Sequence, residues 1–207
     1  MTRSNWRLGV DIGGTFTDVV LEGNTEIFST KVLTTYDAPE NAILDGLAQV
    51  CGKADINAGD ITQIIHGTTL ATNALIERRG AKTALITTEG FRDVIEMRTE
   101  SRRTDIENLA GELAVAGYDS VAVGFLHSYL NPAHERLVRD VLSQKLPNAM
   151  VSLSSDVSPQ MREYERFNTT IANAYIKPLM KSYLDRLAER LEGAGTTCPI
   201  FLMHSGG

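Results

Sequence analysis

At 207 residues, with 43% hydrophobic and 22% charged side chains, the chain is long enough to bury a core without cross-links and has the composition of a globular protein, not a disordered or fibrous one. Its net charge of −6 argues against nonspecific nucleic-acid binding, which leaves a basic footprint, but not against a phosphate held by backbone dipoles. Two cysteines, Cys51 and Cys198, outside any CxxC or Cys/His cluster, point to neither zinc nor a disulfide framework. No apolar run reaches the ~18 residues that span a membrane, and no signal-like segment precedes the first strand pattern, so the expected setting is the cytoplasm, without nucleic acid or membrane as partner.

Residues 8–12, 16–21 and 27–33 read as three short strands, broken by Gly13-Gly14 and by Gly23-Asn24. This opening is an antiparallel meander, not a βαβ unit. Asp37 and Pro39 start a helix that carries Ala42, Ile43, Leu47 and Val50 at helical spacing. A strand over 61–65 runs into His66-Gly67-Thr68-Thr69, and a helix follows over about 70–79, with Gly80 past its end. Residues 84–87 form the next strand and 91–97 a short helix. A helix over 105–116, capped by Thr104, stops at Gly117. Residues 121–126 form a buried strand, Asn131-Pro132 opens another helix, and 150–153 is a strand. Ser158-Pro159 caps a long helical stretch that runs through Leu191, with Pro178 expected to kink or divide it. Residues 200–203 give a last strand before Ser205-Gly206-Gly207. Three β-elements followed by α/β alternation predict an α/β fold, a mixed sheet with helices on both faces, in one domain over 1–207 or one domain with a small appendage.

The sharpest local signal is Gly9-Val10-Asp11-Ile12-Gly13-Gly14-Thr15-Phe16-Thr17-Asp18. Paired glycines remove side chains where a backbone turns sharply and approaches a ligand, and successive N–H groups in such a turn form an anion-binding concavity. Gly13, Gly14, Thr15 and Thr17 are the candidate phosphate cradle. Asp11, an acceptor-only carboxylate at a strand end, suits Mg2+ or its waters. The competing reading is an ordinary glycine hairpin with a solvated aspartate. In His66-Gly67-Thr68-Thr69, His66 is a candidate acid/base group, and Thr68, Thr69 and Asn73 are cleft candidates at a strand end. The alternative is a helix cap with His66 bonded structurally. His127, His134 and His204, the Arg98, Arg102, Arg103 cluster, the Arg92-Asp93 pair, and Asp156 with Glu163–Arg166 read as packed, solvated or helix-start groups before they read as ligands.

Five segments in order give the chain a family resemblance: the Asp11 turn; His66–Arg78; Thr88–Val94; Phe125–Tyr129 with Asn131–Glu135 after it; and Ser154–Pro159 to Glu163–Arg166. Together they resemble the amino-terminal region of the hydantoinase A/5-oxoprolinase family, which includes ATP-dependent N-methylhydantoinases, 5-oxoprolinases and acetone-carboxylase subunits. The resemblance implies one lobe of an actin-like, ribonuclease-H-like ATPase fold. It implies ATP and Mg2+ as cofactors and a cyclic amide or related carbonyl compound as substrate, with a carboxy-terminal lobe or partner subunit completing the cleft. Two departures stand out. Family members carry a longer segment after Arg98-Thr99-Glu100, and their polypeptide continues well past the Ser-Gly-Gly at 205–207. A noncatalytic module needing a partner lobe, and a carbohydrate or acetate kinase relative, are the alternatives.

Overall fold

Alternating apolar and polar residues along Trp6–Ile12, Phe16–Glu22 and Ile27–Leu33 form strands β1, β2 and β3 in a computed structural model that describes residues 5–35, 37–88 and 103–203. They are consecutive antiparallel strands, as expected, with Ile12 paired to Thr17 and Glu22 to Ile27 at the two hairpin ends. The free edge of β1 pairs in parallel with β4 (Ile61–Thr68), which pairs in parallel with β8 (Ile200–Leu202), so the first sheet has the order β3-β2-β1-β4-β8. Trp6, Leu8, Val10 and Ile12 of β1, Val19 and Leu21 of β2 and Ile64 of β4 line one buried face. Helix α1 (Pro39–Ala54) covers that face with Ile43, Leu47 and Val50, and the far end of a long helix adds Tyr183, Leu187 and Leu191. Burying each of these large side chains contributes about 1.5–3 kcal/mol, which makes this face the main support of the sheet. On the other face Phe16, Val20 and Phe201 are exposed.

After β4 comes α2 (Leu70–Ile76), three residues shorter than expected because Arg78 takes a left-handed φ of 57° and turns the chain away. A second sheet follows, of three parallel strands in the order β5-β6-β7: β5 (Thr83–Thr87), β6 (Ser120–Gly124) and β7 (Met150–Leu153). Helices α3 (Arg103–Ala116) and α4 (Ala133–Lys145) supply Ile106, Ala110, Leu113, Val138, Val141 and Leu142 to a core against Val121 and Val123. The opposite face meets the start of the long helix, where Phe167 lies so close to Gly124 that a Cβ there would come within 2.6 Å of its ring. Covered on both faces, β6 is buried at every position, which is why Ser-Val-Ala-Val-Gly does not alternate.

The described residues form two compact units, one up to Ile76 and again from Met180, the other from Glu77 to Leu179, each with its own sheet and core. Among the described residues, helices lie on both faces of the second sheet. Ser158 does not cap the long helix; it closes a single turn, α5 (Ser154–Val157), and α6 runs from Glu163 to Gly193. Pro178 lies inside α6 without ending it, immediately before the passage from one unit to the other. The helix expected at 91–97 lies outside the described residues.

Candidate functional site

At the end of the first hairpin, the Gly13 amide donates to the Phe16 carbonyl at 3.0 Å, leaving Gly14 and Thr15 as the exposed tip. Neither glycine has a positive φ, and of the two it is Gly13 that space requires. A Cβ on Gly13 would crowd the Phe16 carbonyl at 3.1 Å, whereas one on Gly14 would meet only the Asn73 side-chain nitrogen at 3.9 Å. The amides of Gly14 and Thr15 have no hydrogen-bond partner among the described residues. Two successive free N–H groups on an exposed tip are the elements of an anion concavity.

The turn is held from behind. The Thr34 hydroxyl donates to the Gly13 carbonyl at 3.1 Å and lies 3.0 Å from the Thr17 hydroxyl, and the Thr34 amide donates to Thr15 at 2.9 Å. Thr17 is fully buried, so it braces the turn and does not face a ligand, a correction to its place in the expected cradle. Nothing in the sequence pattern marked Thr34.

Asp11 stands on the opposite face of β1 from the core, in register with Gly67 of β4 and Asp18 of β2. Its carboxylate is exposed and makes no hydrogen bond or ion pair among the described residues, whereas Asp18 is paired with Lys31 at 2.8 Å. Gly67 keeps that orientation open: a Cβ there would lie 3.2 Å from an Asp11 oxygen. Thr69 clips the start of α2 to β1, its amide and hydroxyl both donating to the Ile12 carbonyl at 3.3 Å. Asn73 bonds back to the Thr69 hydroxyl at 3.4 Å, and Thr68 accepts from the Leu70 amide at 3.1 Å. The structure therefore gathers Asp11, Gly13, Gly14, Thr15, Thr69 and Asn73 around one sheet end, with Thr68 serving as a local cap.

His66 goes elsewhere. It is 1% exposed on the core face, with Nε2 2.8 Å from the Tyr183 hydroxyl of α6. Burial lowers its pKa, and the nearby Val10 carbonyl and Asp11 charge oppose that effect without cancelling it. Its Nδ1 forms no well-aligned hydrogen bond. An imidazole sealed under the sheet and bonded to Tyr183 fits the structural alternative. Of the other expectations, His134 is exposed on α4, Asp156 pairs with Arg139 at 3.3 Å, and Glu163 pairs with Arg166 in the first turn of α6 at 3.2 Å. Arg92, Asp93, Arg98, Arg102, His204 and the final Ser-Gly-Gly lie outside the described residues, as does the Arg103 side chain.

The described residues thus make a mixed α/β chain with an exposed glycine turn and, at the end of β1, an exposed carboxylate. The model of the hydantoinase/oxoprolinase N-terminal region matches residues 7–105 and 98–146, and that of hydantoinase/oxoprolinase matches 166–207; the chain belongs to this family. It is similar to the caprolactamase subunit alpha of Pseudomonas jessenii (32% identity over the whole chain and 36% of that protein) and to the 5-oxoprolinase of Saccharomyces cerevisiae (28% identity, the whole chain and 22% of that protein). Among solved structures, the ATP-dependent caprolactamase of Pseudomonas jessenii superimposes with a TM-score of 0.82 at 28% identity, covering 95% of this chain and 35% of that one. Acetone carboxylase in its nucleotide-free form gives 0.81 at 20% identity, covering 93% and 35%, and so supports the fold. The chain thus spans about a third or less of the length of these relatives. The two stretches of the amino-terminal match overlap at 98–105, and the caprolactamase alignment runs over 255 positions against 207 residues, so relatives carry extra residues inside the matched region. The expected short segment after Arg98 falls there.

Proposed function

We propose that this chain supplies the phosphate-binding wall of an ATP-dependent enzyme that opens a cyclic amide or activates a related carbonyl compound in the cytoplasm. The observation that carries the reading is the juxtaposition of the Gly14 and Thr15 amides with the exposed Asp11 carboxylate, none of them partnered among the described residues, at one end of a braced sheet. The donor set fits the ligands. Backbone N–H groups match phosphate oxygens, and a hard carboxylate oxygen matches Mg2+, which takes one or two carboxylates and completes its shell with phosphate and water. Bound ATP would supply the phosphoryl group that turns a poor amide oxygen into a leaving group.

The residues of this chain position and neutralise. Gly14 keeps the approach clear of side chains, Thr15 adds an exposed hydroxyl, and the Asn73 amide flanks Gly14. Gly67 leaves Asp11 free to turn toward the ligand, and Thr17 with Thr34 fixes the turn so that little reorganisation accompanies binding. Family membership favours this reading over a sugar or acetate kinase. The length of the relatives favours a second wall of the cleft from further polypeptide or a partner subunit, since the similar caprolactamase chain is itself named a subunit. In the complete enzyme, Asp11→Asn is expected to lower Mg2+-dependent, substrate-stimulated ADP release by about a hundredfold or more, measured at saturating ATP. Turnover equal to that of the unsubstituted enzyme would remove Asp11 from the site.

A further inference from the structure

The amino ends of β5, β6 and β7 border a cavity of about 530 Å3, within the size range of small-molecule sites. Every residue that lines it belongs to the second unit, so it is no part of the Asp11 site, which belongs to the first. Its walls come from three places. One is the irregular segment 79–81 between α2 and β5. Gly80 lies so close to Tyr175 of α6 that a Cβ would come within 2.3 Å of its ring, and the Ala81 amide donates to the Tyr175 carbonyl at 2.9 Å. The segment is thereby fixed to the helix. The second wall is Pro178 and Leu179 of α6, where proline, having no N–H, drops one bond from the helical ladder. The third is the approach to β6 and β7, with Asp119, Asn148 and Met150.

The polar groups of this cavity are held in place and have capacity to spare. The Asp119 amide donates to the Lys82 carbonyl at 3.0 Å, and the Asp119 carbonyl accepts from the Met150 amide at 3.0 Å, so its backbone is tied to the starts of both neighbouring strands. Its carboxylate accepts a long bond from the Lys82 amide at 3.3 Å, against room for about four. The Lys82 ammonium is engaged elsewhere, on the Ala116 carbonyl and over the Tyr118 ring. Arg79 pairs with Glu77 at 3.5 Å, an exposed pair that holds the guanidinium weakly. Asn148 stands in the turn closed by the Ala149 amide on the Leu146 carbonyl at 3.0 Å, and its carboxamide makes no hydrogen bond among the described residues.

One guanidinium, one carboxylate and one carboxamide therefore line a single cavity together with the apolar Met150, Pro178 and Leu179. One charge of each sign suits neither a simple anion nor a simple cation. A guanidinium recognises a carboxylate through two parallel N–H donors, and a carboxylate recognises an ammonium by a charge-assisted bond. We propose that this cavity binds a small amino acid, its carboxylate on Arg79, its ammonium on Asp119 and its hydrocarbon stem against Met150, Pro178 and Leu179. Hydrolysis of a lactam C–N bond leaves an ammonium and a carboxylate on one molecule, whereas the intact ring carries neither charge. The cavity thus selects the ring-opened product over the ring. It lies at the amino ends of parallel strands, opposite the ends at which open α/β sheets bind the ligands they act on, so its role is to sense product and not to form it. That role rests on the function proposed above; the binding of an amino acid does not.

The test is calorimetric titration of the complete enzyme with 6-aminohexanoate and with leucine, isomers that space the same two charges differently. Hexanoate, hexylamine and caprolactam serve as probes lacking one charge or both. At least one of the two amino acids should bind the unsubstituted enzyme, and the three other probes should bind about tenfold more weakly or worse. Arg79→Gln and Asp119→Asn should each weaken amino-acid binding by about tenfold or more. Both side chains are exposed, so the melting temperature should stay at that of the parent, which separates loss of a ligand contact from loss of structure. Asn148→Ala, at another exposed position, replaces either variant that fails to fold. No binding of either amino acid, equal affinity for hexanoate or hexylamine, or affinity unchanged in the variants overturns the proposal; the last result would place the amino acid at some other site. Amino-acid binding that depends on Arg79 and Asp119, in an enzyme whose ADP release no lactam stimulates, would instead overturn the ATP-dependent ring opening and leave the site standing.

Discussion

Gly46 and Gly52 both lie inside α1, and the same substitution is expected to act in opposite directions at the two. Alanine is favoured over glycine in a helix interior by about 1 kcal/mol. At Gly52 a Cβ meets nothing within 4 Å, so Gly52→Ala should raise the unfolding free energy by up to about that amount. At Gly46 a Cβ falls 2.4 Å from Val19 Cγ2, a buried β-branched side chain that cannot swing aside. Forcing apart a packed helix and sheet costs about 1–3 kcal/mol and outweighs the propensity gain, so Gly46→Ala should destabilise. Urea unfolding followed by fluorescence of the single tryptophan, Trp6, in the same core, reads both variants; a stabilised Gly46→Ala would show that α1 docks more loosely than described. The same reasoning separates the glycines of the turn, since Gly13 crowds a backbone carbonyl while Gly14 opens onto Asn73.

Between elements, the Tyr183–His66 bond ties α6 to the middle of the first sheet. Burial pushes the Tyr183 hydroxyl far above its ordinary range and lowers the His66 pKa, so both stay neutral near pH 7. The folded-state pKa of His66 lies below its unfolded value of about 6.5, so its deprotonated form is the one the fold prefers. The associated stability is complete above that value and is lost as the pH falls through the window down to the folded pKa, by at most about 1.4 kcal/mol per pH unit. The Trp6-monitored urea midpoint should therefore fall on going from pH 7.5 to pH 5, and His66→Gln should flatten that part of the profile. Tyr183→Phe should cost about 1–3 kcal/mol at pH 7.5, because it leaves a buried ring nitrogen without a partner. A midpoint insensitive to pH over this range would exclude His66 as the titrating group.

At the scale of the whole molecule, two sheets with separate cores share one helix, and the candidate phosphate turn belongs to the first of the two units. The matched relatives are about three or more times longer than this chain. Positioning groups from both walls of a cleft is what gives a phosphoryl transfer its geometry. The 207-residue chain by itself is accordingly expected to release little or no ADP in response to 5-oxoproline, hydantoin or caprolactam in a steady-state assay with ATP and Mg2+. Substrate-stimulated release at rates typical of enzymes, on the order of 1 per second or faster, would show that the remaining polypeptide is dispensable.

The local features came from the amino-acid order alone, because they depend on near neighbours in the chain. The period-2 runs and the Gly-Gly and Gly-Asn breaks determined the β1–β2–β3 meander, and the spacing of Ile43, Leu47 and Val50 determined the buried face of α1. Placing Asp11 next to a glycine turn was likewise local. What only the tertiary structure decided depends on residues distant in sequence. Whether His66 faced ligand or core turned on Tyr183, 117 positions away, and whether Thr17 faced phosphate turned on Thr34. The division into two sheets was invisible because a strand pattern records its own two faces but not its lateral neighbour. The turn at Phe125–Ser128 was hidden for the same reason: its partners Glu163, Arg166 and Glu135 reach it only when the chain has folded.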